Sequence, residues 1–495
     1  MLAQIIAWAI VGGLLYTLLS FLQRTRRITA NLPPGPPGHW LSGNSPPESY
    51  PYRSFEELAK AYGPVFSLRY GSHLVCVVNR YQAAVDILVK HSAETTDRPR
   101  AIAASEMLSQ GFRILMTPAG ERLKKYRRAF HTCLQPSAAA TYKPIQYNHA
   151  KNYILDCLHD GKCHLEHGRR YAASVVMYIG YGKTTPTSYS DPEVQEVNKC
   201  LGRLSEVIKP GAYLVDTYPI LKHIPGYASH LWRYGREELA LYTRQANAVR
   251  KQLEKDEAQP SFAAYLIENQ ERLGLSNDEL AYLSGAIFGA GSDTTAAAIA
   301  VMTMAAACYP ETQARVQAQL DEVVGSDRAP TFEDEEMLPE VTAFVLEVYR
   351  WRPVSAGGVP HRSTKDIVWN GYVIPKGTEI IGNLWAIGRD PELFPDAEEF
   401  RPQRWLNENG RIRDDLKYPV FGFGRRLCVG QHVADQSLFI NTALALWAFK
   451  ISQDPAKPID VLAFTDTANI RPLPFTLRFE PRVKDIEAVL EAHLD

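Results

Sequence analysis

The sequence predicts a mainly α-helical fold with a smaller β portion, and three observations carry that expectation. The first is a long apolar stretch opened by Ser276-Asn277-Asp278-Glu279 and closed just before Pro310. Its opening is a capping box, in which serine and a glutamate three residues on satisfy each other's end of the helix. A helix apolar nearly all round has no solvent face and must run through a core. The second is helical spacing over residues 54–62, 81–91, 341–351 and Gln431–Ala448. The third is that strand-like alternation is confined to short runs. Val65–Tyr70 and residues 74–79 alternate across Gly71-Ser72, and Trp369-Asn370-Gly371-Tyr372 reads as a two-residue hairpin turn.

Composition sets the outer bounds. At 495 residues, with 45% hydrophobic and 22% charged residues, the chain is long enough to bury a large core in one catalytic unit. A net charge of −1 argues against nucleic acid as an electrostatic partner. The cysteines, at 76, 133, 157, 163, 200, 308 and 428, form no CxxC or finger spacing, so they read as reduced thiols facing the cytosol. No repeat or low-complexity tract interrupts the chain.

Taken in order, residues 2–22 carry no charge and would span about 30 Å as a helix, enough to cross a bilayer. Arg24, Arg26 and Arg27 follow at once, which places the remaining chain on the cytosolic side. A cleavable leader would carry its charges before the apolar run; here the order is reversed, as in a signal anchor. Leu32-Pro33-Pro34-Gly35-Pro36-Pro37-Gly38 then favours extended polyproline structure and a stiff spacer. The expected division is an anchor at 1–23, a basic stop and hinge at 24–38, and a globular unit at 39–495.

Within that unit, residues 97–115 lack clear periodicity and read as a loop. Glu121-Arg122-Leu123-Lys124-Lys125-Tyr126-Arg127-Arg128 is strongly basic, which by itself describes a solvated helix face. Residues 140–260 alternate helical stretches with loops and are broken by prolines and aromatics between 210 and 227. In the middle of the long apolar helix stand Gly289-Ala290-Gly291-Ser292-Asp293-Thr294-Thr295. Two glycines, an acid and hydroxyls suggest a local bulge or kink there, although buried hydroxyls are often satisfied within their own helix. Glu347 and Arg350 share one helical face and by default form an exposed pair. Finally, Phe421 to Gly430 sets Cys428 in a glycine-rich loop, with Arg426 two residues before it and Gly430 two after. Alone, such a cysteine is usually a small buried hydrophobe. The full spacing Phe-x-x-Gly-x-Arg-x-Cys-x-Gly says otherwise.

That spacing resembles, position by position, the haem-binding signature of the cytochrome P-450 family, with Phe421, Gly424, Arg426, Cys428 and Gly430 as its fixed points. The resemblance implies haem b (iron protoporphyrin IX) with Cys428 as the axial ligand to iron and Arg426 on a propionate. It also implies Arg127 on a propionate, from a Trp-x-x-x-Arg pattern in which this chain has Leu123 for the tryptophan. Arg362, in Val359-Pro360-His361-Arg362, is the third implied propionate contact. Ala290-Gly291-Ser292-Asp293-Thr294-Thr295 is similar to the family's oxygen-groove motif, which makes Asp293 and Thr294 the catalytic residues that pass protons. Glu347-x-x-Arg350 is expected to be buried with Arg404 as a structural triad. Gln403 stands where the usual motif has glutamate. The small residues Val354-Ser355-Ala356-Gly357-Gly358 are implied to face the substrate and leave room beside the iron. Residues 97–115 become the roof of the substrate pocket, the region around 210–227 its lid and a further membrane contact, and residues 464–470 the last loop to reach it.

The expected protein is therefore a helical haem domain with a transmembrane anchor, single-pass in the endoplasmic reticulum membrane with its catalytic domain in the cytosol. Its expected reaction inserts one oxygen atom of O2 into an apolar small-molecule substrate. Electrons come from NADPH through a separate flavoprotein reductase, docked by charge on the proximal face around the lysines and Arg128. Lipid is a further partner and nucleic acid is not. The hinge and the Pro-His-Arg stretch look most like fungal microsomal members, the O-methylsterigmatocystin oxidoreductase type among them, which points to secondary metabolism on terpenoid, polyketide or indole scaffolds. The competing expectation is a haem-thiolate isomerase or dehydratase acting on a peroxide, against which the intact Asp293-Thr294 argues.

Overall fold

The computed structural model describes residues 31–492 except 185, 186, 189 and 210, together with Gly12. The expected anchor and its arginines lie outside the described residues. Ten helices of twelve or more residues dominate the described chain: α1 (Pro51–Tyr62), α2 (Glu121–Leu134), α3 (Lys143–His159), α4 (His164–Tyr181), α5 (Pro192–Val207), α6 (Ser229–Leu253), α7 (Asn277–Cys308), α8 (Pro310–Val323), α9 (Pro339–Trp351) and α10 (Gln431–Ala448). Mainly helical with small sheets is the observed class.

The axis of the packing is α7. Its predicted capping box is formed: Glu279 N donates to Ser276 Oγ and Ser276 N to Glu279 Oε2, both at 3.1 Å. The helix packs most extensively on α4, then on α6 and α10. By length and composition α7 would cross a membrane, but 67% of its apolar window is buried by neighbouring helices, so it is a core helix. The expected bulge at 289–295 is absent; α7 is α-helical throughout. Its glycines answer a packing need instead. A Cβ on Gly291 would stand 2.4 Å from Val176 Cγ1 of α4. Close approach of two helices, with no kink, accounts for glycine there.

The β portion is small. A four-stranded sheet has the order β1-β2-β6-β3, from β1 (Val65–Tyr70), β2 (His73–Val78), β3 (His361–Arg362) and β6 (Glu379–Gly382). Only the β2–β6 pair is parallel. β4 (Ile367–Trp369) and β5 (Tyr372–Ile374) form the predicted hairpin, with Trp369 opposite Tyr372 and both turn residues at positive φ. β7 (Phe449–Gln453) pairs with β8 (Leu477–Pro481).

Three expectations are corrected. The proline-rich stretch is no free spacer: Ser67 of β1 donates from Oγ to Pro33 O (2.7 Å) and from N to Pro34 O (2.8 Å), docking it along the sheet. The expected helix 81–91 is α-helical only over Tyr81–Ala84 and widens to a π-helix over Val85–Lys90. The segment 97–115, read as a loop, contains a π-helical turn at Ile102–Leu108 and a 3-10 turn at Ile114–Met116. Periodicity failed there because the turn is buried: Ile102, Ala103, Ala104, Met107 and Leu108 all lie in an apolar cluster with Leu204, Val207 and Leu231. Its open N-terminus is capped from a distance, Ile102 N and Ala103 N donating to Asp216 Oδ1 at 2.6 and 3.0 Å.

Candidate active site

The loop before α10 is tied down at both ends. Cys428 N donates to Phe421 O at 2.9 Å, and the Phe421 ring meets Tyr349 of α9 edge-on at 5.4 Å between centroids. Phe423 is buried among Ile87, Leu88, Ile380 and Leu384. Gly424 sits at φ 51°, and a Cβ there would come 2.5 Å from Ser92 Cβ and 2.8 Å from Leu88 O. Only glycine meets both demands. At Gly430, the N-cap of α10, an added Cβ would meet nothing within 4 Å, so the loop opens on that side.

Cys428 is the exposed one among the seven cysteines, all of them free. Protein atoms nonetheless crowd the thiol. That desolvation pushes its thiol pKa up, the Gly430 N–H and the Arg127 guanidinium pull it down, and the Asp435 carboxylate raises it. The wholly buried Cys76 has no such donors, and burial alone raises it to about 12.

Behind the loop stands a fully buried carboxylate. Arg350 Nε and Nη2 donate to the two oxygens of Glu347 at 2.8 and 2.7 Å, and neither side chain has any exposed surface. Arg404 Nε adds a bond to Glu347 Oε1 at 3.1 Å, Trp405 Nε1 one to Oε2 at 2.9 Å, and Arg401 N one to Oε1 at 2.8 Å. Arg350 also donates to the carbonyls of Gly388, Ala397 and Glu399. The exposed pair expected by default from i,i+3 spacing is thus overturned, and the triad with Arg404 is formed. Gln403, the departure from the usual motif, donates to Glu340 Oε2 at 3.2 Å and leaves the triad untouched.

Four guanidinium groups gather beside the cysteine loop. Arg127 Nη2 donates to Leu427 O at 3.1 Å. Arg426 donates to Thr96 O and Thr117 O, each at 2.6 Å. Arg362 Nε pairs with Asp97 Oδ2 at 2.9 Å. The fourth, Arg98, was missed by sequence reading; it donates to Leu115 O and Val359 O at 3.1 and 3.0 Å. Burial and then the nearby Arg426 and Arg127 charges, opposed by Asp97, push Arg98 down to about 9. Burial and Arg127, against Asp97, push Arg426 to about 10. His361, buried beside Arg98 and Arg426, falls to about 3 although its ring donates to Thr95 O at 2.8 Å. Cations held this close, in a partly dry place, suit a doubly anionic guest.

On α7, Thr294 Oγ1 donates to Ala290 O of its own helix at 2.7 Å, and Asp293 Oδ1 accepts from Arg471 Nη1 at 2.8 Å. On α2, Lys125 does not face outward as expected: it bonds Glu279 Oε2 and Gly274 O at 3.0 and 2.9 Å. Lys124 and Arg128 remain exposed.

The family model for cytochrome P450 matches residues 33–478. The chain belongs to that family. Over the full length of both chains it is 93% identical to cytochrome P450 monooxygenase 113 and 74% identical to cytochrome P450 monooxygenase 64, both of Postia placenta. A cytochrome P450 monooxygenase of Armillaria gallica is 37% identical, with 96% of this chain and 94% of the relative covered. The protein is a cytochrome P450 monooxygenase, and the competing isomerase or dehydratase reading is set aside. A haem-thiolate cofactor comes with the family, and the residues present fit it: an open thiol, an amide aimed at the sulfur, and cations in excess beside it. Neither Arg98 nor Arg471 announced itself, because each stands in a polar, turn-like run where local pattern carries no signal.

Proposed function

We propose that this cytochrome P450 uses electrons from NADPH, through a separate reductase, to oxidise an apolar small molecule of fungal secondary metabolism, of terpenoid, polyketide or indole type. The observation that carries the reading is the open Cys428 thiol set between the Gly430 amide and the arginine cluster. When haem is bound, Cys428 would hold its iron, and Arg98, Arg127 and Arg426 would hold its propionates, with Arg362 sharing its charge between Asp97 and that site. The bound haem supplies the oxygen-activating redox chemistry.

The chain's own residues do the rest. The Gly430 N–H donates to the sulfur and moderates its charge. Glu347, Arg350 and Arg404 keep the loop rigid from behind. Thr294 Oγ1 gives up its bond to Ala290 O and donates toward the reacting oxygen, and Asp293 resupplies the proton. The buried roof turn Ile102–Leu108 and the apolar cluster around it keep water out, while the small side chains at Val354-Ser355-Ala356-Gly357-Gly358 leave room for a bulky substrate. Lys124, Arg128 and Arg425 are exposed and suit an acidic reductase domain. A membrane-bound, cytosol-facing location is supported by the apolar N-terminal run and by exposed Trp40, Leu41, Leu214 and Ile220, of which Trp40 is 79% and Ile220 70% exposed.

The first test is the spectrum of the reduced, carbon-monoxide-treated protein. A red-displaced Soret band is expected, and its absence in folded, haem-loaded protein overturns the thiolate assignment. Co-expression with a reductase and feeding of terpenoid, polyketide and indole scaffolds then reads the substrate class by product mass; oxidation confined to a water-soluble, strongly polar compound contradicts the apolar reading.

A further inference from the structure

The π-helical turn Ile102–Leu108 has almost nothing of its own to stand on, for so short a helix does not hold alone in water. Its two leading amides, Ile102 N and Ala103 N, donate to Asp216 Oδ1. Its apolar side is covered from the same direction. The buried residues of the turn share one cluster with Leu204 and Val207 of α5, with Val215 and with Leu231 of α6, and that cluster is separate from the main core. Lys222 Nζ adds a bond to Glu106 Oε2 at 2.7 Å, and α6 passes so close that a Cβ on Gly235 would run into Leu108 O. Pulling the turn and residues 213–231 apart would bare the shared cluster and leave two amides without partners; moving them together does neither. One edge of the group is pinned. Just past the turn, Arg113 Nη2 pairs with Glu238 Oε1 of α6, while Tyr242 OH and Tyr282 OH, the latter on α7, donate to the same carboxylate at 3.0 and 2.6 Å. The arginine and glutamate side chains are 12% and 3% exposed, so parting them would strand charge in a dry place.

We propose that the turn Ile102–Leu108 and residues 213–231 move as one body, swung about the pinned Arg113–Glu238 edge, and that substrate therefore does not pass between them on its way to Cys428. The Asp216 carboxylate and the Glu106–Lys222 pair are the latches of that body. The turn stays folded because the segment that caps it travels with it, so the cover opens and closes without coming apart. This goes beyond the reading that the two segments cover the substrate's space, and rests on it.

The test uses the haem-loaded full chain. In the double variant Glu106→Cys/Lys222→Cys the two thiols are joined by a short bismaleimide, confirmed by mass, and the parental protein treated with the same reagent is the reference. Clotrimazole, a bulky azole that displaces the Soret band when its nitrogen reaches the iron, times passage into the site. The bridged protein is expected to take it up at the reference rate; uptake slowed several-fold would place the way in between the two segments and overturn the inference. Hydrogen–deuterium exchange gives the second measure. Asp216→Ala should raise exchange over 102–108 and 213–228 together and by the same factor, with 235–242 still protected, and Asp216→Asn, which keeps an acceptor oxygen, should restore most of that protection. Faster exchange confined to 102–108 would make Asp216 a cap and nothing more, and the inference falls. If the bridged protein fails to hold haem, the exchange comparison decides alone. Clotrimazole that binds yet protects neither segment from exchange instead overturns the reading that they cover the site, a separate result.

Discussion

The two sides of the site are held by ion pairs of opposite character. Behind Cys428, Glu347 and Arg350 have no exposed surface and the carboxylate receives donors from Arg350, Arg401, Arg404 and Trp405. On α7, Asp293 shares one hydrogen bond with Arg471, and the pair stays open to water. A buried, fully bonded pair strands a charge in a dry place if either partner is lost, so it cannot be exchanged in the course of turnover. An open pair is worth little and can part many times. The difference teaches which pair packing locks and which stays free to open: the one behind Cys428 is held in a dry place, the one on α7 is not.

The largest break in this contrast comes from the cysteine itself. Cys428→Ala should abolish both the red-displaced carbon monoxide band and turnover, with circular dichroism unchanged because the side chain opens into the site and packs no core. Retained turnover would remove sulfur from the centre of the site. Next comes the brace. Glu347→Gln keeps the shape but leaves Arg350 and Arg404 without their counter-charge, at an expected cost of about 3–5 kcal/mol, seen as a lower Tm and poorer haem retention. A loss below about 1 kcal/mol would show that the carbonyl bonds of Arg350 suffice without the triad.

A smaller effect belongs to the arginine cluster. Folded His361 stays neutral down to about pH 3, whereas the unfolded chain protonates near the ordinary histidine value. Between those two points the unfolded state binds more protons, so stability rises with pH and falls on acidification below that ordinary value. At pH 5 this one ring should cost about 2 kcal/mol relative to pH 8, and His361→Gln should flatten that part of the urea-unfolding profile. The acid-side loss should also be smaller in haem-loaded than in haem-free protein, since propionates offset the Arg98 and Arg426 charges that depress His361. Equal losses in both forms would place the propionates elsewhere.

The smallest change in fold stability, and the most informative about the distal side, is Thr294→Ala. The hydroxyl bonds only its own helix, so Tm should hold or rise slightly, while product per NADPH falls several-fold and peroxide appears. A drop in Tm with coupling preserved would invert the contrast between the two sides.

Much of this site was legible in the chain because its signals are local. The cysteine loop needs glycine at 424 whatever surrounds it, for φ 51° is a property of one residue. The capping box at Ser276, the hairpin at Asn370-Gly371 and the bounds of α10 are likewise agreements between neighbours a few positions apart. The helix at Pro51–Tyr62 begins three residues before the predicted start, with Pro51 at the first helical position, where its missing N–H costs nothing. The π-helical turn at Ile102–Leu108 was not legible at all, since its cap comes from Asp216, more than a hundred residues away.

The sequence by itself determined the helical class, the core helix with its start and stop, and a thiol in a loop shaped to present it. Tertiary structure alone decided which charges meet. It brought Arg98 to Arg426, turned Lys125 inward to Glu279, buried a Glu347–Arg350 pair that spacing would have left in water, and set Arg471 on Asp293. The reason is range. Backbone conformation is governed by a residue and its nearest neighbours, whereas the worth of an ion pair depends on how much water is left around it, and only the packed chain fixes that.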